Sequence, residues 1–159
     1  MAMVYKEIDR EEVLAGINKY FSIKELVCPH VLNKLGNGAW QSLDTHALAW
    51  LLLMREDIFG VPMYVNSGDQ KQRGLRCNMC DIVKKKTTAY QSGHPFGKAF
   101  DITVKGYTAQ EARQKIKEYA KAHPEKCPCP LRLEKDVSWL HADVIPQYGV
   151  TDFIYEFKA

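Results

Sequence analysis

The sequence predicts an α+β fold: an antiparallel sheet with helices packed on it. Three observations carry this. Residues 131–134 (Leu-Arg-Leu-Glu) and 138–144 (Ser-Trp-Leu-His-Ala-Asp-Val) are short β-prone runs separated by the turn-like Lys135-Asp136-Val137, and they read as a hairpin. Residues 99–104 (Ala-Phe-Asp-Ile-Thr-Val) alternate in the same way and read as a further strand. Two longer segments, 43–59 and 109–122, carry amphipathic helical patterns with start signals.

In chain order, Asp9 is a good N-cap for a short helix over 11–19. The helix over 43–59 is capped by Ser42 and stopped by Gly60 and Pro62, with Leu48, Leu51, Leu52 and Ile58 as core positions. Residues 63–66 form a strand. In 99–104 the two-residue period puts Ala99 and Asp101 on one face, with Phe100 and Ile102 turned to the core. Thr108 and Glu111 form a capping box that opens a helix to about residue 122, whose solvated face carries Arg113, Lys117 and Lys121. Residues 153–157 look like a last strand. With Asp136-Val137 as the hairpin tip, Glu134 lies opposite Trp139 and Arg132 opposite His141. Arg132, Glu134, Trp139, His141 and Asp143 then share a face, and Leu133, Leu140, Ala142 and Val144 pack inward. A turn longer by one residue would reverse that facing.

Length and composition fit one domain over residues 1–159. The chain is long enough to bury a real core, and 46% hydrophobic with 26% charged residues is ordinary for a globular protein. A net charge of +3 is mild and too small to argue for nucleic acid. No run of eighteen apolar residues predicts a membrane span, and the start, Met1-Ala2-Met3-Val4-Tyr5-Lys6, lacks the plan of a signal peptide. The expectation is a cytoplasmic monomer without membrane partners. Lys84-Lys85-Lys86 reads as a solvated surface turn.

The chemistry concentrates in Ser92-Gly93-His94-Pro95-Phe96-Gly97-Lys98-Ala99-Phe100-Asp101 and in Trp139-Leu140-His141-Ala142-Asp143. His94, Asp101 and His141 are three good ligands for one Zn²⁺, and three protein ligands leave a position open for water, the usual form of a catalytic zinc site. Pro95 rules out a regular helix through the first motif, so His94 sits on a loop that feeds the strand. Such a site also needs a carboxylate to move the water's proton to a leaving amine. The hairpin nominates Glu134, a diagonal neighbour of His141. Asp136, at the turn, is the alternative.

The pattern Ser-x-His-x-x-Gly-x-Ala-x-Asp followed by Trp-x-His-x-Asp resembles the M15 zinc peptidases. These are D-Ala-D-Ala carboxypeptidases and dipeptidases and the L-alanyl-D-glutamate endopeptidases of phage lysins, whose fold the hedgehog domain shares. Ser92, His94, Gly97, Ala99 and Asp101 match the first motif, and His141 falls where the last zinc ligand belongs. Tyr20-Phe21-Ser22-Ile23-Lys24-Glu25-Leu26 is similar to the family's opening segment, and Val65-Asn66-Ser67-Gly68 to the strand ending in Ser-Gly-Tyr-Arg. The resemblance spans roughly residues 20–144. It implies a hedgehog-like fold and a zinc-dependent hydrolase of peptidoglycan stem peptides, at D-Ala-D-Ala or L-Ala-D-Glu bonds. It also implies a lysin-like protein, phage or prophage derived, that reaches the wall after release. By the same resemblance Ser92 contacts substrate or orients its loop, and Arg55 supports the fold. Two positions depart from the pattern. Gln70 stands where an arginine holds a substrate carboxylate, so Arg73, Arg76 or Arg132 would supply that charge by a bidentate clamp. Ser138 stands where many members carry an acid. Asp143 can orient a ligand histidine from behind.

His30, His46 and His123 read as structural or exposed, His123 at a helix C-terminus. His30 belongs to Cys28-Pro29-His30. Cys77-x-x-Cys80 and Cys127-x-Cys129 together offer four thiolates for a second, structural zinc, although the second spacing is tight. Reduced thiols are the plain alternative. Two other classes stay open: a catalytically silent zinc-bound binding or phage structural module of the same fold, and a cysteine-zinc interaction domain.

Overall fold

The computed structural model describes residues 5–67 and 71–159. The chain start read for a leader (Met1 to Val4) and the segment Gly68-Asp69-Gln70 lie outside the described residues.

Among the described residues, six α-helices and five strands make a mixed α/β architecture around a mostly antiparallel sheet. The helices are α1 (Arg10–Ile17), α2 (Ile23–Leu26), α3 (Pro29–Leu35), α4 (Thr45–Leu53), α5 (Asp81–Lys84) and α6 (Ala109–Ala122). The strands are β1 (Met63–Tyr64), β2 (Ala99–Val104), β3 (Leu131–Glu134), β4 (Leu140–Asp143) and β5 (Ile154–Phe157), in the sheet order β1-β2-β4-β3-β5. One correction to the sheet concerns its edge. β5 runs parallel to β3, whereas the other three pairings are antiparallel. No helix among the described residues is long and apolar enough to cross a membrane.

Local signals explain most boundaries. Asp9 accepts from the backbone N–H of Glu11 and Glu12 and starts α1. The Thr108–Glu111 capping box forms in both directions and starts α6. The second long helix starts later than expected. Ser42 closes a 3-10 segment, Gly36–Ser42, and Asp44 is the N-cap, accepting from Ala47 N–H at 3.0 Å. α4 then continues as a π-helical turn, Met54–Ile58. Arg55 on that turn stacks over the Tyr20 ring, 4.3 Å from its centroid.

One face of the sheet carries the core. Phe100, Ile102, Leu131, Leu133, Leu140 and Ala142 are buried there, and Trp50, Leu51 and Met54 of the helix are buried with them. The Trp50 indole N–H donates to the Cys129 carbonyl at 3.0 Å, so the buried ring leaves no polar atom unsatisfied. Packing the helices on this face frees the opposite one, and the polar positions of β2, β3 and β4 line up on it.

Asp44 ties α4 to the loop that carries His94. Its N–H donates to Gly97 O at 2.9 Å, and its carboxylate pairs with Lys98 Nζ at 2.8 Å. Burial alone would raise its pKa, but the hydrogen bond from Lys98 and the cap bond from Ala47 outweigh it and hold the carboxyl below its ordinary 3.8. A depressed folded-state pKa stabilises above the unfolded value, and that contribution disappears as pH falls through the folded one. Asp44→Ala therefore costs about 1 kcal/mol at neutral pH. The difference from wild type in denaturant unfolding begins to shrink below about pH 4, where the unfolded chain takes up the proton, and the charge contribution is gone once the pH lies below the depressed folded-state pKa.

Candidate metal centre

His94, Asp101 and His141 come together on the open face, each buried, and their ligating atoms all lie within 4.8 Å of one another. Strand pairing makes half of this arrangement: Asp101 of β2 and His141 of β4 are direct cross-strand partners. The other half comes from the loop before β2, a 3-10 turn over His94–Phe96 that lays the His94 ring edge-on to His141, with centroids 5.2 Å apart.

The small residues of the motif permit that approach. Gly97 has φ +67°, and a Cβ there would stand 1.9 Å from Ser42 O. A Cβ on Gly93 would meet Ala99 Cβ at 2.9 Å and Asp143 Cβ at 3.3 Å. The Ser92 hydroxyl, half-buried at the cleft edge, accepts from the His94 N–H at 3.4 Å.

Each ligand is oriented from behind. His94 Nδ1 lies 2.8 Å from Gly74 O. A carbonyl only accepts, so Nδ1 carries the proton and Nε2 keeps its lone pair toward Asp101, 3.3 Å away. Burial lowers the His94 pKa, and the bond to Asp101 opposes this only in part. His141 stands between two carboxylates: Nδ1 is 2.8 Å from Asp101 Oδ1, and Nε2 is 2.8 Å from Asp143 Oδ2. Burial would lower its pKa, yet these two bonds push it up to about 9. A metal ion bound through Nδ1 would therefore displace a proton. At Asp101, burial is likewise outweighed, chiefly by the bonds to His141 and His94, and the carboxyl is held well below the usual carboxylate range.

Two arginines complete the ring of charge. Arg76 is buried and donates through Nη2 to Asp101 Oδ2 at 2.8 Å and through Nη1 to the Tyr90 hydroxyl at 2.7 Å, while its Nε–H donates to Gln72 O. Arg132 grips Asp143 with two bonds, 2.8 Å from Nε and 3.0 Å from Nη2, and its guanidinium stacks 4.5 Å above the Phe157 ring.

The cluster forms the floor of a cleft of about 340 Å³ whose walls include Ser92, Glu134, Trp139 and Phe157. Glu134 is half-buried on this wall and has no ion-pair partner among the described residues. The hairpin register differs from the sequence expectation. Arg132 pairs with Asp143 and Leu133 with Ala142, so one step further Glu134 faces His141 directly instead of diagonally. The loop is longer than expected, at residues 135–139. A slip of two residues preserves the facing, which is why Arg132, Glu134, His141 and Asp143 still share one side. Asp136 moves away from the cluster. It has φ +63°, sits 3.6 Å from Lys158 and lines a separate groove with Ser138.

Three other expectations change. Arg113 is not on the solvated face of α6: it is buried and donates to the carbonyls of Glu134, Val137 and Trp139, so it props the loop that follows the carboxylate. Arg73 does not line the cleft. It donates to Thr103 Oγ1 at 2.9 Å, and its carbonyl accepts from Asp101 N–H at 2.7 Å. Cys77 and Cys80 do not join Cys127 and Cys129. Their partners are Cys28 and His30, in a second group of metal-ligating side chains. Cys127 Sγ points instead to His123 O at 3.5 Å, and Cys129 Sγ to Pro130 O at 3.3 Å. His30, expected from sequence to be structural or exposed, is thus a functional candidate, and its signal in the sequence is its closeness to Cys28 in Cys-Pro-His. His46 bonds Lys6 O at 2.8 Å, and His123 follows α6 beside Glu125, as expected.

The donors His94, Asp101 and His141 suit a divalent metal by chemistry, since two imidazoles and a carboxylate are ordinary zinc ligands. Two of them also have a carbonyl or carboxylate on the far ring nitrogen, the usual support of a ligating histidine. Comparison with known proteins adds no name: no family model matches the chain, and no curated protein or solved structure does.

Proposed function

We propose that the chain is a zinc-dependent peptidase of the M15 type, with a hedgehog-like fold, that hydrolyses amide bonds in peptidoglycan stem peptides. One observation carries the reading: two histidines and a carboxylate converge on a cleft floor while Glu134 stands on its wall without an ion-pair partner among the described residues. His94 Nε2, Asp101 and His141 Nδ1 would hold the ion. When bound, it would polarise the substrate carbonyl and lower the pKa of a water to about 7.

The chain's own groups do the rest. Glu134 takes a proton from the attacking water as its oxygen bonds to the carbonyl carbon, then delivers that proton to the amine nitrogen as the C–N bond breaks. Asp143 fixes the His141 ring through Nε2, and Arg132 fixes Asp143. Ser92 meets the substrate at the rim. Arg76 and Arg132 both hold internal carboxylates, so neither offers an uncommitted clamp for a chain-terminal carboxylate. That favours an internal bond of the L-Ala-D-Glu kind over a terminal D-Ala-D-Ala. A lysin-like role follows from the same resemblance.

A second reading, a catalytically silent zinc-bound module, draws on Ser138, which stands where an acid is common and lines another groove. Two synthetic stem peptides separate the readings, one offering only an L-Ala-D-Glu bond and one only D-Ala-D-Ala. Zinc-loaded protein is expected to cut the first, with cleavage lost on chelation and restored by zinc. Cleavage of neither peptide, by protein that holds its ion through His94, overturns the peptidase.

A further inference from the structure

We propose that Cys28, His30, Cys77 and Cys80 bind a structural zinc ion, separate from the His94 cluster. Their four ligating atoms lie within 4.8 Å of one another. Cys80 Sγ is 3.7 Å from His30 Nδ1. Zinc–ligand bonds of about 2.3 Å to sulfur and about 2.05 Å to nitrogen give a tetrahedral edge of about 3.6 Å, so that separation already matches a shared ion. Three thiolates and an imidazole form a closed structural set with no position left for substrate. Softness also selects: thiolates favour zinc over magnesium or calcium, which take oxygen ligands.

The backbone prepares the site from two distant segments. Val27 and Leu75 form a parallel bridge, with Cys28 N–H donating to Leu75 O at 3.0 Å and Leu75 N–H to Leu26 O at 2.9 Å. This sets Cys28 beside the Cys-x-x-Cys turn. Within that turn Met79 N–H donates to Cys77 Sγ at 3.4 Å, and Cys80 N–H donates to Cys77 O at 3.1 Å. Pro29 opens α3, so His30 follows in its first turn. Cys28 and Cys80 are buried, and His30 and Cys77 close the site from the solvent side.

The ion has a clear structural task. The segment it clamps carries Gly74, whose carbonyl holds His94 Nδ1, and Arg76, adjacent to Cys77, whose guanidinium holds Asp101. Residues 71–80 form no helix and no strand beyond the isolated bridge at Leu75, so the segment is held by single bonds such as Asp101 N–H to Arg73 O and Arg73 N–H to Asn66 Oδ1. The ion would pin the loop that orients the ligands of the first centre.

The test is metal content together with the absorption of cobalt-substituted protein. Wild type is expected to carry two ions per chain and a near-ultraviolet thiolate-to-cobalt charge-transfer band. Cys77→Ser and Cys80→Ser should each lose one ion and weaken or abolish the band. His94→Ala should lose the other ion and keep the band, which separates failure of this site from failure of the peptidase reading. Cys77→His retains a ligand and should keep both ions with a shifted spectrum, so a folding defect in the serine variants does not decide the matter. Cys127→Ser should change nothing. A cobalt-loaded wild type without the charge-transfer band, a band that vanishes in Cys127→Ser, or a Cys77–Cys80 disulfide in protein purified under reducing conditions each overturns the proposal.

Discussion

Glu134→Gln is expected to slow stem-peptide cleavage by about 10²- to 10⁴-fold while leaving the metal content unchanged. The substitution keeps the side chain's size and its place opposite His141 and removes only the ability to take a proton. Because the Glu134 side chain makes no hydrogen bond or ion pair among the described residues, little else should move. Thermal unfolding should match wild type within about 0.5 kcal/mol, as for other substitutions that break no internal contact. Asp136→Asn is the control. Its carboxylate is exposed beside Lys158 in another groove, so its loss should leave cleavage intact. If Asp136→Asn abolished turnover and Glu134→Gln did not, the roles would be reversed and the hairpin geometry misread.

Asp143→Ala is expected to have the largest effect on the folded state. The Asp143 side chain is fully enclosed, and its two oxygens serve Arg132, His141 and the N–H of Ile145. Deleting it leaves a guanidinium and an imidazole without their shared counter-charge. Breaking a buried pair from one side costs about 3–5 kcal/mol, far more than the pair contributes in net terms. Denaturant midpoints with an unchanged slope would register this as loss of stability alone. The centre should suffer too. Removing the carboxylate behind a ligating histidine weakens metal binding by about 10- to 100-fold, which competition with a chelator measures. Asp143→Asn keeps a single acceptor oxygen, enough for the Ile145 N–H or for His141 but not for both, so it should fall between wild type and Asp143→Ala on both scales.

Much of this was legible in local sequence. The Asp9 cap, the Thr108–Glu111 box and the β2 strand lie where short-range rules put them, because neighbours in the chain decide those features. The shared face of Arg132, Glu134, His141 and Asp143 also survives, since it depends only on the parity of the turn. What local pattern does not carry is long-range pairing. Nothing within β2 or β4 alone says that Asp101 will face His141, or that β5 will lie parallel to β3. Arg113 looked like a solvated helix residue because the carbonyls it serves lie about twenty residues away, in the hairpin loop. The cysteine sets fail in the same way. Cys77-x-x-Cys80 is visible as a pair, but its partners are chosen by the Val27–Leu75 bridge, which joins segments far apart in sequence. Asp44 displaced Ser42 as a cap for a tertiary reason, since it also holds Lys98 and the loop behind His94.

The most direct test of the central claim is digestion of purified peptidoglycan by the zinc-loaded chain, with released fragments identified by mass spectrometry beside His94→Ala. New amino termini on stem peptides from the wild type alone are the predicted result. Intact stems after incubation with wild-type protein that holds an ion at His94, Asp101 and His141 would contradict it.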